Sequence, residues 1–163
     1  MIRPIENCYW VLPGKLLAGE YPRNIDEESS REKLSALLDC GITAFIDLTE
    51  EKELEPYAGL VGAASHHRFP VRDLSVPKSP DVTKAILDAI DHYIERGQTV
   101  YVHCWGGVGR TGVIIGCWLA RRHGGEAALT RLRKLWLECP KSARKSPETP
   151  EQEKYILNWK VGQ

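Results

Sequence analysis

The chain has 163 residues, of which 42% are hydrophobic and 27% charged, and its formal net charge is zero. This length and composition predict one globular domain and argue against a disordered chain or a strongly basic, nucleic-acid-binding protein. The charge is nevertheless uneven, because residues 1–100 hold 11 Lys and Arg against 17 Asp and Glu, whereas residues 101–163 hold 11 against 5. A basic second half suits a negatively charged substrate.

The cysteines and the apolar segments indicate in which cellular compartment the protein is expected. Five widely spaced cysteines form no paired framework, which predicts a reduced, cytoplasmic compartment. Of these, Cys40 and Cys117 are expected to be small buried hydrophobic residues. No run approaches the roughly 18 apolar residues of a membrane span, and the N-terminus lacks a secretory apolar segment. We therefore expect no membrane association.

The first half of the chain alternates between predicted strands and one helix. Pro13-Gly14 marks a turn between strands over residues 7–12 and 15–19, which predicts a hairpin at a sheet edge. Asp26 fits the N-cap of a helix that Gly41 ends. A buried strand is expected over residues 42–48. The acidic run that follows it indicates a solvated, exposed loop, formed by Glu50, Glu51, Glu53 and Glu55.

The middle of the chain predicts a parallel crossover. A strand over residues 63–69 leads into a Pro-bounded loop over residues 71–77, hereafter the Asp73 loop. Ser79 then fits the N-cap of a helix with Pro80 at its first position, and Gly97 ends that helix. The apolar, β-branched run over residues 99–102 is typical of a strand buried on both faces. This order predicts an α/β fold with a central, mostly parallel sheet of about four to five strands flanked by helices.

The last third is predicted to be helical. An apolar helix over residues 111–120 is followed by a break at Gly124-Gly125 and by an amphipathic helix that Pro140 limits. A basic connector over residues 141–147 leads to a final helix, for which Thr149 fits the N-cap.

The stretch between the central strand and the apolar helix carries the chemistry. Glycines at 106, 107 and 109 let consecutive N–H groups turn toward one centre, and the following helix directs its partial positive charge at the same point. Such surroundings lower the pKa of a thiol from about 8.5 to between about 3.5 and 7.5, so Cys104 is predicted to be a thiolate. Arg110 has the planar fork that binds two oxygens of a phosphoryl group.

These residues carry a resemblance to a known family. His103-Cys104, followed after five residues by Arg110-Thr111-Gly112, resembles the signature loop of the cysteine-dependent protein tyrosine phosphatases. The short chain makes it similar to the compact dual-specificity members. The resemblance implies that Cys104 is the nucleophile, that Arg110 binds phosphate, and that His103 orients the loop. The Thr111 hydroxyl would donate to the departing thiolate, and phosphate would also be bound by Trp105, Gly106, Gly107, Val108 and Gly109.

Two further segments resemble the family less closely. Asp73 lies 31 residues before Cys104 between Pro70 and Pro77, which resembles the loop that carries the general acid, although Phe69 replaces the frequent Trp. Asp47 is the rival acid, but it ends a strand. Residues 146–152 resemble the segment that holds a glutamine near the attacking water. Gln152 would then orient that water, and it equally fits the third position of a capping box.

The resemblance implies one phosphatase domain over residues 1–163 that hydrolyses phosphotyrosine, and also phosphoserine and phosphothreonine, through a cysteinyl-phosphate intermediate. It implies no metal or other cofactor, phosphorylated proteins or peptides as partners, and a monomer. Lipid-directed members often carry lysines where Trp105 and Val108 stand here, which favours phosphoprotein substrates. Two alternatives stay open: a phosphoprotein-binding pseudophosphatase, and a rhodanese-like or arsenate reductase-like cysteine enzyme.

Overall fold

A computed structural model describes residues 1–163 and arranges them as a five-stranded sheet between two layers of helices. The strands are β1 (Cys8–Leu12), β2 (Leu16–Gly19), β3 (Ala44–Asp47), β4 (Ser65–Arg68) and β5 (Val100–His103). The helices are α1 (Glu27–Asp39), α2 (Pro80–Glu95), α3 (Arg110–His123), α4 (Gly125–Trp136) and α5 (Pro150–Asn158). The predicted α/β class is confirmed.

The sheet order is β1-β2-β5-β3-β4. β1 and β2 form the predicted antiparallel hairpin at one edge, whereas the other three neighbouring pairs are parallel. The carboxyl ends of β2, β3, β4 and β5 therefore lie at one edge of the sheet, where ligands bind in open α/β folds. β5 lies in the middle, so the loop that follows it is central to that edge.

Alternate residues of β5 enter two separate cores. Val100 and Val102 belong to a core of 29 buried residues under α2, α3, α4 and α5, whereas Tyr101 belongs to a core of 11 residues under α1. Because both faces of the strand are covered, its sequence shows no polar alternation. The burial fixes the end of β5 firmly and with it the start of the following loop.

The predicted helix starts are confirmed by their caps. The Asp26 carboxylate accepts a hydrogen bond from the Ser29 backbone N–H at 2.8 Å, and the Ser79 hydroxyl accepts one from the Val82 N–H at 3.3 Å. Gly124, at a φ of 85°, ends α3 immediately before α4 begins. None of the helices combines the length and apolar character that a membrane crossing requires.

The cysteines are all free thiols, and one prediction about them is wrong. Cys117 is buried within α3 as expected, but Cys40 is exposed. Cys40 lies one residue beyond the end of α1, and the chain turns there through Gly41 at a φ of 100°. The turn directs the thiol away from the core, which α1 contacts through Leu34 and Leu37.

Candidate active site

The residues from Cys104 to Gly109, hereafter the Cys104 loop, join the end of β5 to the start of α3. The six consecutive backbone N–H groups from Trp105 to Arg110 donate no hydrogen bond to any acceptor in the protein. Consecutive backbone N–H groups without an acceptor in the protein form a concave set of donors that can bind an anion. A run of six therefore indicates a loop shaped around an anion.

A close approach to β2 explains one of the glycines. Gly107 has a φ of 75°, and a Cβ at this position would lie 2.5 Å from the carbonyl carbon of Gly19 and 2.8 Å from the backbone nitrogen of Glu20. Only glycine combines this conformation with this contact. The Cys104 loop is also tied to the same segment by the Tyr21 N–H, which donates to the Trp105 carbonyl at 2.8 Å.

The start of α3 adds a second contribution to anion binding. The helix begins at Arg110 with Gly109 before it and has no side-chain cap. Its residues are buried from Arg110 to Ala120, so solvent screens its partial positive charge less than that of a surface helix. Loop and helix direct partial positive charge toward the same space.

Cys104 lines a cleft of about 440 Å³ at the carboxyl edge of the sheet. Its side chain is 3% exposed, so it lies at the bottom of the cleft. Asp73 lies at the cleft wall. Four basic side chains also line the cleft: Arg23, Lys33, Lys141 and Arg144. Glu20, which pairs with Lys33 and Lys141, and Glu148, which pairs with Arg144, offset part of this charge. The structure thus brings the predicted nucleophile and the predicted acid to one cavity.

Arg110 is buried directly behind this cleft, at 1% exposure. Its Nη1 donates to a Glu53 oxygen at 2.9 Å and to the Val71 carbonyl at 3.0 Å, and its Nη2 donates to the other Glu53 oxygen at 2.7 Å. The Nε–H has no partner although it is buried. Protein acceptors therefore hold the two Nη atoms of the guanidinium, whereas its Nε–H remains free to donate a hydrogen bond.

The prediction that all four carboxylates of the acidic run are solvated is wrong for Glu53. Its side chain is 18% exposed and forms the two-pronged ion pair with Arg110. Burial is the largest single influence and raises the pKa of Glu53, but the hydrogen bonds and charge of Arg110, together with a backbone hydrogen bond, outweigh it and lower that pKa. Glu53 therefore stays charged and fixes the plane of the guanidinium, which a buried arginine needs.

Asp73 lies at the mouth of the cleft. Its side chain is 53% exposed, and its Oδ1 lies 3.4 Å from Nη2 of Arg110. The same oxygen accepts a hydrogen bond from the Leu74 N–H at 2.9 Å. The rival, Asp47, is fully buried at the end of β3 and is bonded to Thr49, His66 and Arg68.

His103 is fully buried and bonds to the backbone of the Cys104 loop. Its Nδ1 lies 3.2 Å from the Cys104 carbonyl, and its Nε2 lies 2.5 Å from the Tyr57 hydroxyl. The carbonyl can only accept, so Nδ1 carries the proton and the Tyr57 hydroxyl donates to Nε2. Burial lowers the pKa of His103 to about 4, although Asp47 nearby acts in the opposite direction. His103 is therefore neutral at pH 7.

This depressed pKa predicts how stability depends on pH. An unfolded histidine takes up a proton near pH 6.5, whereas folded His103 takes one up only near pH 4. The unfolded state binds more protons between these values, so the free energy of unfolding should fall by up to about 3 kcal/mol as the pH drops from about 6.5 to about 4. Denaturant unfolding across this range measures the loss.

The control for that measurement is an exposed histidine. His103→Gln should be less stable at pH 7 but should lose less stability on acidification, whereas His67→Gln, at an exposed position, should follow the wild-type curve. Equal acid slopes in the wild type and His103→Gln would contradict the assignment.

Two predicted site residues have contacts other than those the resemblance implied. The Thr111 hydroxyl is buried and lies 3.5 Å from the Gly19 carbonyl, with no hydrogen bond to the Cys104 sulfur. Gln152 forms the capping box with Thr149 at the start of α5. Its amide also packs over the Cys104 loop, because a Cβ at Gly109 would lie 3.0 Å from the Gln152 Nε2.

Taken together, a central parallel strand followed by a buried cysteine, a run of unpaired N–H groups and a buried arginine are the features of the cysteine-dependent phosphatase class. Residues 20–125 match the family model described as "Polymorphic toxin system, DSP-PTPase phosphatase". The chain therefore belongs to this dual-specificity phosphatase family, and the predicted membership is confirmed.

A curated relative agrees with this membership. The chain is 32% identical over 111 residues to "Putative tyrosine phosphatase 067L" of Invertebrate iridescent virus 3, a match that covers 65% of this chain and 42% of the viral protein. It spans 42% to 56% of the lengths of the first three curated relatives it matches.

Two solved structures share the fold at low identity. Tk-PTP in its active form has a TM-score of 0.75 and 22% identity, with 92% of this chain and 93% of that chain covered. PTPMT1 in complex with PI(5)P has a TM-score of 0.68 and 19% identity, with 90% of each chain covered.

Sequence reasoning missed Glu53 and Tyr57 as partners of the site. The sequence contained one signal for Glu53, because a buried arginine needs a carboxylate as its partner. The sequence did not distinguish Glu53 from the other three acids of the run. Tyr57 had no signal, since its contact with His103 joins residues 46 positions apart.

Proposed function

We propose that this chain is a phosphoprotein phosphatase that hydrolyses phosphotyrosine, and also phosphoserine and phosphothreonine, through a cysteinyl-phosphate intermediate. The catalytic unit spans residues 1–163 and acts as a monomer in the cytoplasm, where its free thiols stay reduced. The observation that carries the proposal is the row of six unpaired N–H groups that directly follows Cys104 in the chain, together with the unpaired Nε–H of the buried Arg110.

Three side chains and the loop N–H groups each carry out a different part of the proposed reaction. The Cys104 thiolate attacks phosphorus in line with the leaving oxygen, so that an S–P bond forms as the P–O bond breaks. The loop N–H groups and Arg110 stabilise the equatorial oxygens in the transition state. Asp73 gives its proton to the leaving oxygen and then accepts a proton from the water that hydrolyses the S–P bond. The reaction requires no metal.

The cleft favours a peptide over a lipid as the carrier of the phosphate. Trp105, next to the nucleophile, is 59% exposed, and Ile25 is 98% exposed. The two side chains line a groove that shares Tyr21, Arg23, Asn24 and Trp105 with the cleft that holds Cys104. A phosphorylated side chain in the cleft would bring its neighbours in a polypeptide onto this apolar surface.

A substrate panel tests both the activity and the substrate class. Phosphate release is measured from phosphotyrosine, phosphoserine and phosphothreonine peptides and from PI(5)P, the lipid bound in the PTPMT1 structure, with a chelator present throughout. We expect the phosphotyrosine peptide to be hydrolysed fastest. Release from the lipid alone would overturn the protein-substrate assignment, and no release from any of them would overturn the proposal.

The role of Asp73 gives a specific prediction. Asp73→Asn keeps the shape of the side chain but has no proton to donate, so kcat/KM for a phosphotyrosine peptide should fall by about 10²–10⁴-fold. Steady-state kinetics measures the loss. Asp81→Asn, at an exposed position in the first turn of α2, is the matched control and should keep the wild-type rate. A full rate in Asp73→Asn would reassign the acid.

The pseudophosphatase alternative has less support than catalysis. Proteins that only bind phosphate can dispense with the acid or the nucleophile, whereas all three residues are present here. Cys104 and Asp73 line one cleft, and Nη2 of Arg110 lies 3.4 Å from Oδ1 of Asp73. A rhodanese-like or arsenate reductase-like enzyme would not need Asp73, so these alternatives do not account for its position at the cleft.

A further inference from the structure

The side-chain amide of Gln152 connects the Cys104 loop with the Asp73 loop. It is fully buried. Its Oε1 accepts hydrogen bonds from the backbone N–H groups of Glu148 at 3.0 Å and Thr149 at 3.1 Å, and its Nε2 donates to the Ser75 carbonyl at 3.0 Å. Two donors face the oxygen and an acceptor faces the nitrogen, so the amide has only one orientation that satisfies all three partners.

Ser75 lies two residues after the proposed general acid, in a turn that needs support. Leu74 has a φ of 62°, a conformation that is unfavourable for residues other than glycine. The turn is closed by the Ser75 N–H, which donates to the Arg72 carbonyl at 3.1 Å. Asp73 itself is exposed, and its side chain contacts Nη2 of Arg110 at 3.4 Å and the N–H of its neighbour Leu74.

The backbone of the Asp73 loop is held from outside on both sides of Asp73, at Val71 and at Ser75. On one side Nη1 of Arg110 donates to the Val71 carbonyl, and on the other side Nε2 of Gln152 donates to the Ser75 carbonyl. The first anchor belongs to the phosphate-binding residue. The second comes from α5, whose start is fixed by the capping box of Thr149 and Gln152.

We propose that Gln152 is a positioning residue for the general acid, holding Asp73 at the mouth of the cleft through the Ser75 carbonyl. This inference rests on the proposed function. It differs from a role in orienting the hydrolytic water, because both lone pairs of the Gln152 oxygen are already used by backbone donors. That oxygen has no remaining capacity to accept a hydrogen bond from water, so any contact with the hydrolytic water would have to come from the second N–H of Nε2.

The two roles affect different kinetic constants. In a covalent mechanism kcat/KM reports the steps up to the departure of the leaving group, which need the acid, whereas the attack of water enters only kcat. Displacing the acid should lower kcat/KM most for a poor leaving group such as tyrosine. It should lower kcat/KM least for p-nitrophenol, which departs with little proton assistance. Displacements of about 1 Å can cost about 10²-fold in rate.

The experiment compares Gln152→Ala and Gln152→Glu with the wild type on a phosphotyrosine peptide and on p-nitrophenyl phosphate. Glutamate keeps an acceptor for the α5 cap but places an oxygen against the Ser75 carbonyl. We expect both variants to lower kcat/KM about 10–10²-fold for the peptide and far less for p-nitrophenyl phosphate. In an Asp73→Asn background, Gln152→Ala should cause little further loss, because the acid that it positions is already absent.

Thr149→Ala is the matched control. It removes the hydroxyl that accepts from the Gln152 backbone N–H at 3.2 Å but leaves the three amide hydrogen bonds in place. It should lower the Tm while keeping the ratio of kcat/KM between the two substrates at the wild-type value. A structural role of Gln152 would instead move Tm and both substrates together.

The outcomes separate this inference from the proposed function. Equal losses of kcat/KM on both substrates, or a loss confined to kcat with accumulation of the cysteinyl phosphate, would overturn the positioning role while leaving the phosphatase activity standing. A wild-type protein that hydrolyses neither substrate would overturn the proposed function itself.

Discussion

Replacing Cys104 by serine is expected to abolish turnover on every phosphomonoester while leaving the fold unchanged. A serine hydroxyl is not ionised near neutral pH, and no side chain that could serve as its base contacts position 104: the neighbouring His103 bonds instead to the Cys104 carbonyl and to Tyr57. Removal of the nucleophile should therefore lower kcat by about 10⁴-fold or more. Phosphate release with p-nitrophenyl phosphate measures the loss.

Binding distinguishes this loss from misfolding. The six loop N–H groups and the Arg110 fork do not involve the sulfur, so Cys104→Ser should still bind a phosphotyrosine peptide, which calorimetry can measure without interference from turnover. Cys40→Ser, at the exposed cysteine, is the control and should keep full activity. Retention of wild-type turnover by Cys104→Ser, or its loss in Cys40→Ser, would contradict the nucleophile assignment.

The features that local sequence patterns can determine were predicted correctly. The hairpin around Pro13-Gly14, the caps at Asp26 and Ser79, and the buried central strand each depend on a few neighbouring residues. The spacing from Cys104 to Arg110 likewise predicts a loop and a helix start, and α3 begins at Arg110. These features fix the centre of the site.

The features that were missed depend on contacts between distant residues. Glu53 is 57 positions from Arg110, and its acidic run has the composition of an exposed loop. Only the fold shows which of the four carboxylates reaches the buried guanidinium. The misassignment of Cys40 has a local cause. The residue before Gly41 was expected to be buried at the end of the helix, but α1 ends at Asp39 and Cys40 is exposed beyond it.

The partnership of Arg110 and Glu53 leads to the second large effect. Arg110→Ala should lower kcat/KM by about 10³–10⁵-fold, because the guanidinium supplies the charge and the free Nε–H that stabilise the transferring phosphoryl group. Arg110→Lys should recover only a small part, since an ammonium keeps the charge but loses the fork. Steady-state kinetics on a phosphotyrosine peptide measures both variants.

Removal of Arg110 should also destabilise the fold, and Glu53 allows the two consequences to be separated. In Arg110→Ala the Glu53 carboxylate, 18% exposed, loses its partner, which should cost about 1–3 kcal/mol of unfolding free energy. Adding Glu53→Gln removes the uncompensated charge and should restore much of that stability without restoring activity. Recovery of activity in the double variant would mean that Arg110 acts mainly by holding the fold, because a residue that binds the phosphoryl group directly cannot be replaced by neutralising its neighbour.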